Sequence, residues 1–318
     1  MRRLLLVIPL LLLATLAASA ASVANAPAFH QVFRSIDRGR TWTRSDAGLD
    51  PSARINAFTA TSHRHVVATD LGISLSDDAG RNWQAARLPG TAPTRVHSLT
   101  RSANMLFAGT AGAGVLTSAD EGVTWRSHAP ERGPRNVRAL LSVPGAVYAG
   151  TDSQGVFRSA DDGRTWVQMS EGLPESAQIF DLTVVDQAVF AGLYNRGLYR
   201  LDVPGNRWNR VGDVVPLVLA VFGETLLVGH NPGGIHWTPD LGRNWQPAAG
   251  DLPDNATIWA MAADRTLALA GAADGLFLSE DQGRTWSRPE LGLPAICPGI
   301  AFLVTDNLIL AATTRRQP

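Results

Sequence analysis

Ser35-Ile36-Asp37-Arg38-Gly39-Arg40-Thr41-Trp42 is the stretch whose reading decides the fold. It recurs as Ser76…Asp78…Gly80…Trp83, Ser118…Asp120…Gly122…Trp125 and Ser159…Asp161…Gly163…Trp166. It recurs again as Thr238…Asp240…Gly242…Trp245 and Ser279…Asp281…Gly283…Trp286. A further copy, Leu201-Asp202-Val203-Pro204-Gly205-Asn206-Arg207-Trp208, keeps the Gly and the Trp but moves the Asp by one. From Trp42 to Trp286 the tryptophans of these copies are 41, 42, 41, 42, 37 and 41 residues apart. A period of about 40 with short alternating strands is the length of one four-stranded propeller blade.

Each repeat divides into four strand-like runs. Around the fourth copy these are Val137 to Ser142, Ala146 to Thr151, Val156 to Ser159 and Thr165 to Gln168, punctuated by Gly, Pro, Asp and Ser. Those punctuating residues supply the turns that strands require. After the last copy only two runs follow, Ile300 to Val304 and Leu308 to Ala312. Two others, Gln31 to Ser35 and Thr41 to Arg44, precede the first full repeat. Joined, they make one more blade, which leaves no open sheet edge. The expectation is therefore all-β: a single seven-bladed β-propeller over residues 27–318, its last blade closed by strands from both termini. The degenerate copy at Asp202 to Trp208 is the place where this expectation is most exposed.

The turn residues have structural work to do. Asp accepts hydrogen bonds from nearby N–H groups, and Gly supplies a backbone conformation other residues reach at a cost. Trp buries a large ring between neighbouring blades. Asp37, Trp42, Asp78, Trp83, Asp120, Trp125, Asp161, Trp166, Trp208, Asp240, Trp245, Asp281 and Trp286 are assigned this role. An active site is one asymmetric constellation, so near-identical acidic turns spread around a ring are scaffold.

The pattern Ser-x-Asp-x-Gly-x-Thr-Trp follows a strand such as Gly155-Val156-Phe157-Arg158-Ser159 and precedes Gly-Leu-Pro at Gly172-Leu173-Pro174 and Gly292-Leu293-Pro294. It resembles the BNR/Asp-box repeat superfamily. That superfamily includes sialidases, xyloglucan-cleaving hydrolases, sortilin-type receptors and photosystem II assembly-factor-like exported propellers. The last group is the most similar in size, export signal and repeat number. The resemblance implies the propeller and leaves the function open.

Composition removes several functions. Of 318 residues, 45% are hydrophobic and 18% charged, with 28 cations against 28 anions. That supports a packed core and gives no electrostatic basis for nucleic-acid binding. All the cations are Arg, so lysine Schiff-base chemistry and a P-loop lysine are excluded. The single Cys297 can form no internal disulfide. No cofactor and no metal are expected. His63-Arg64-His65 offers two imidazoles two residues apart but no third ligand, and Gly109 to Gly114 joins two strands, without the helix a phosphate loop needs. Asn255-Ala256-Thr257 is a glycosylation sequon, relevant only in a eukaryotic secretory pathway. Arg2 and Arg3, the apolar run Leu4 to Ala18 and the small residues after it read as a signal peptide over 1–24, cleaved near 20–26. The expected product is periplasmic or secreted, with no integral membrane span after cleavage.

Alternate loops of a blade lie on opposite faces. The repeated turns mark one face, so ligand residues are sought on the other. There the candidate binding residues are Asp70, Arg95, Arg135, Asp152, Tyr194, Arg196, His230 and Asp274. A sialidase would need an arginine triad, a Tyr nucleophile and an Arg-Ile-Pro signature, and Arg54-Ile55-Asn56 lacks the proline. Other glycosidases need two carboxyls roughly 5–10 Å apart, which Asp70, Asp152 and Asp274 could supply. No catalytic set is assigned. The preferred expectation is a non-catalytic exported platform for binding or assembly with a protein or glycan ligand. The alternative is an extracytoplasmic glycoside hydrolase of sialidase-like architecture.

Overall fold

The structure, a computed structural model, describes residues 29–128, 133–202, 206–212, 214–273, 275–289 and 299–315. The signal segment, Asp274, Cys297 and the Gly-Leu-Pro at 292–294 lie outside the described residues. Five continuous blades of four antiparallel strands span 55–85, 96–127, 137–168, 179–210 and 218–247. A sixth spans 258–287, with three strands and a single bridge from Leu278 to Ser287 in place of the fourth. The seventh takes its two inner strands, Gly299–Val304 and Ile309–Arg315, from the C-terminal end of the chain and its two outer strands, Phe29–Ser35 and Thr43–Arg44, from the N-terminal end. Phe29 to Ser35 pairs with Arg315 to Ile309 along its whole length. The first strands of the seven blades are neighbours in ring order and enclose the central channel.

Burial follows position in the blade. In blade three the second strand, Ala146–Thr151, is buried throughout, and the outermost, Val167–Gln168, is exposed. A second strand is covered on both faces by the adjoining blades, so it reads as a continuous apolar run rather than an alternation. The two-residue outer strands expose little backbone for edge pairing.

Among the described residues the core forms seven clusters, one at each blade interface, and each contains or packs against one repeat tryptophan. Trp208 of blade four packs with Tyr148 and Val156 of blade three. Trp286 of blade six packs with Phe222 and Leu227 of blade five. Each ring leans on the preceding blade. Most of the indole N–H groups reach a carbonyl. Trp42, Trp125, Trp166 and Trp286 donate to the glycine of their own turn, at 2.8–3.1 Å. Trp83 and Trp208 donate across the interface to Ser45 and Met169, at 2.8 and 2.7 Å. Trp166 is only half-buried, unlike the fully buried Trp208 and Trp286.

Six turns share one hydrogen-bond bracket. In the blade-three turn the Ser159 hydroxyl donates to Asp161 at 2.8 Å and accepts from Gly163 N at 2.9 Å. The same Asp161 oxygen accepts the Thr165 N–H at 2.9 Å, and the other oxygen accepts the Thr165 hydroxyl at 2.6 Å. In the degenerate copy, Gly197–Asp202 and Arg207–Arg210 form a longer hairpin with Asp202 opposite Arg207. Backbone pairing there does what the carboxylate does elsewhere, so the shifted Asp breaks neither the blade nor the count.

These brackets make the fold acid-sensitive. Donation from Thr41 and Thr165 holds Asp37 and Asp161 down to about 2. The N–H and side-chain amide of Asn82 and Asn244 do the same for Asp78 and Asp240. An unfolded Asp titrates near ~3.9. The folded values are the lower ones, so this stabilisation is complete above about pH 4 and lost as pH falls towards 2. The stability gap between the native chain and Asp161→Asn is expected to be widest near neutrality and to close across that window in urea titrations. A gap that stays constant would contradict the bracket.

Candidate functional site

In six blades the pairing of the first strand with the second slips by one residue near its start. The slips fall between Ile55 and Ala57, Val96 and Ser98, Val137 and Ala139, Ile179 and Asp181, Ile258 and Ala260, and Gly299 and Ala301. The residues inside these bulges are Asn56, His97, Arg138, Phe180, Trp259 and Ile300. A bulge leaves one residue out of the ladder and re-aims its side chain. In blade five Pro216 precedes the strand and carries no N–H; the regular ladder begins at Val218.

Five of those bulged residues line one cavity of about 400 Å³ together with Arg54, Ile55, Asp70 and Arg95. The lining comes from blades one, two, three, four and seven, so the cavity is the mouth of the central channel. It lies at the start of the first strands, on the face opposite the repeated turns. Arg138 forms an ion pair with Asp152 and sits 5.3 Å from the Phe180 ring centre. Phe180 in turn stacks, tilted, on Tyr194 at 5.0 Å. Asp70 accepts the Arg54 N–H at 2.7 Å. Burial pulls the His97 imidazole below its ordinary range, and the Arg138 guanidinium reinforces this, so His97 is neutral at pH 7. Beneath the mouth Asp181 accepts the Leu182 and Leu219 N–H groups at 2.8 Å each, tying blade four to blade five. Burial nonetheless pushes its carboxyl up to about 6.

The sequence candidates divide accordingly. Asp70 and Arg95 line the mouth. Asp152 and Tyr194 stand behind it, each holding a residue that does. Arg135 is exposed, and its backbone N–H donates to Gln154 at 2.9 Å. Arg196 is exposed on the neighbouring loop. Neither Arg135 nor Arg196 is among the residues lining the cavity. His230 is withdrawn from solvent: it is buried, its Nδ1 is 3.0 Å from the Val215 carbonyl, and its ring meets His236 edge-on at 4.8 Å. Asp274 lies outside the described residues. The two-imidazole reading of His63 and His65 does not hold, because the strand begins at His65 and His63 is exposed in the turn before it. Among the described residues no group of three or more His, Cys, Asp or Glu could hold a metal ion, and no helix is long and apolar enough to cross a membrane.

Sequence reasoning missed His97, Arg138, Phe180, Trp259 and Ile300 as site residues. The signal was visible: Ile or Val, then a variable residue, then Ala, Ser or Asp opens most first strands.

The model of the family described as the DUF6242 beta propeller domain matches residues 58–302. No curated protein matches the chain in sequence. Among solved structures, YCF48 bound to D1 peptide is similar at 16% identity and a TM-score of 0.63, over 84% of this chain and 99% of that one. YCF48 from Cyanidioschyzon merolae is similar at 13% identity and 0.60, over 81% and 95%. The GH74 xyloglucanase from Xanthomonas campestris is similar at 16% identity and 0.62, covering 92% of this chain but 56% of the enzyme. At such identities the likeness is one of fold.

Proposed function

The chain belongs to the DUF6242 beta propeller domain family, and from that premise we propose that it is an exported, non-catalytic platform for binding or assembly, holding a protein or glycan ligand at the channel mouth. The observation that carries this is the cavity itself, where arginines from three blades converge beside Phe180. Guanidinium groups offer planar, paired donors to carboxylates and other anions. Both nearby acids are engaged, Asp70 with the Arg54 backbone and Asp152 with Arg138, which favours binding over acid–base hydrolysis. The peptide-bound YCF48 structure gives this fold a precedent for a peptide ligand. Within the family we read the repeats as BNR-type Asp boxes, on the strength of the Ser–Asp–Thr/Asn brackets. Export is read from the N-terminal apolar run.

The test uses a random hexapeptide phage library and a printed glycan array, each probed with the purified chain. The best ligand recovered is expected to lose at least about 10-fold in affinity against Arg95→Glu. Equal affinity would remove the channel mouth as the site. Turnover of a fluorogenic glycoside, abolished by Asp70→Asn, would overturn the platform reading.

A further inference from the structure

The bulged residues are all different, while their neighbours repeat. Ile or Val precedes the bulge in five of the six blades, and Ala, Ser or Asp follows it. A bulge leaves its extra residue outside the ladder hydrogen bonds, so the side chain at that position can vary while the paired residues around it stay the same. The six residues also sort around the ring. Asn56, His97 and Arg138, in blades one to three, form a polar arc with Arg54 and Arg95 beside them. Phe180 and Ile300, in blades four and seven, are the apolar part of the cavity lining, and Trp259, in blade six, holds the equivalent bulge outside that lining. Trp259 is 47% exposed, and Tyr194, which extends the Phe180 surface, is 48% exposed.

We propose that these six bulged residues are the specificity-determining set of the channel mouth, and that they read a peptide segment in which a carboxylate stands beside a bulky apolar side chain. This rests on the platform reading above and names its ligand class. Arg54, Arg95 and Arg138 face Asp70 and Asp152, which leaves the mouth with a surplus positive charge. The neutral His97 adds a ring that can both donate and accept hydrogen bonds. The opposite arc combines aromatic rings with the aliphatic Ile300. Such a surface accepts a branched or aromatic side chain, and the arginines beside it accept a carboxylate, a pairing that adjacent residues of a peptide supply. A cavity of about 400 Å³ takes one or two side chains and not a folded domain.

Panning the hexapeptide phage library on the full chain, on Arg138→Gln and on Trp259→Ala tests the proposal, with fluorescence polarisation on the best peptide. The native chain is expected to select Asp or Glu next to Leu, Ile, Phe or Trp. Arg138→Gln should lose the acidic preference and Trp259→Ala the apolar one, each weakening the peptide at least about 10-fold with unchanged melting temperature. Trp259 is exposed, so that variant decides alone if Arg138→Gln fails to fold. A variant that returns the native consensus, a native chain that selects no such consensus, or ligands found only among glycans would overturn the proposal. If Arg95→Glu abolishes binding while both bulge variants keep the native consensus, the platform stands and the ring does not. Binding untouched by Arg95→Glu removes both.

Discussion

Gly172→Ala is expected to destabilise the chain by roughly 3–5 kcal/mol, combining backbone strain with overpacking. The chain leaves blade three through Glu171, whose carbonyl accepts the Trp208 N–H of blade four at 2.8 Å. Gly172 follows at φ 87°, and a Cβ there would stand 2.2 Å from the Trp208 carbonyl oxygen. That oxygen belongs to backbone held in a ladder and cannot step aside. The same clip recurs at Gly48 against Trp83 and at Gly250 against Trp286, each at 2.2 Å. Gly90 is the control: its φ is 85°, but nothing lies within 4 Å of a Cβ. Gly90→Ala therefore pays only the strain of a left-handed backbone, about 1–2 kcal/mol. Urea denaturation of the two variants separates the clash from the strain. Equal losses would remove the clip as the reason for the glycine in Gly-Leu-Pro.

Trp208→Ala is expected to cost a similar ~3–5 kcal/mol, the range for emptying a buried aromatic site. Trp208 is 1% exposed, fills the interface between blades three and four, and satisfies the Met169 carbonyl. Trp166→Ala, at the half-buried equivalent, should cost clearly less. Trp208→Phe should recover most of the packing but not the hydrogen bond. Thermal unfolding of the three variants ranks them. A Trp166→Ala loss equal to or above that of Trp208→Ala would show that burial does not set the contribution of these rings.

The fold was legible because its determinants are local. Asp, Gly and Trp at fixed offsets specify a turn and a packing site within eight residues, and six copies repeat the message in full. Even the closing blade could be counted, since two strands were spare at each end. The degenerate copy was ambiguous because its hairpin rests on backbone pairing between Leu201–Asp202 and Arg207–Trp208, which leaves no side-chain signature. The site was only half legible. Asp70 and Arg95 sit on loops, where ligand residues are sought by habit. Arg138, Phe180 and Trp259 sit within strands. What turns them to the channel is a register slip, and its trace, Ile or Val two residues before Ala, Ser or Asp, stands out only when the first strands of several blades are compared. His230 failed for the opposite reason: its loop folds it under Val215 and against His236, and loop position alone says nothing of burial.

The strand that closes the ring has a kinetic side. His30 and Thr314 are partners 284 residues apart in sequence, so the first strand of the propeller to be synthesised waits for its last. Contacts of such separation form slowly, because a long loop must close before they add stability. Until the C-terminal strands arrive, Phe29–Ser35 has no inner neighbour and the sixth blade has no seventh to cover it. The growing chain thus carries two unprotected flanks through most of its synthesis, the condition in which wrong partners are found. Loss of the final hairpin would then do more than trim one blade: it would hold the whole chain in that vulnerable state.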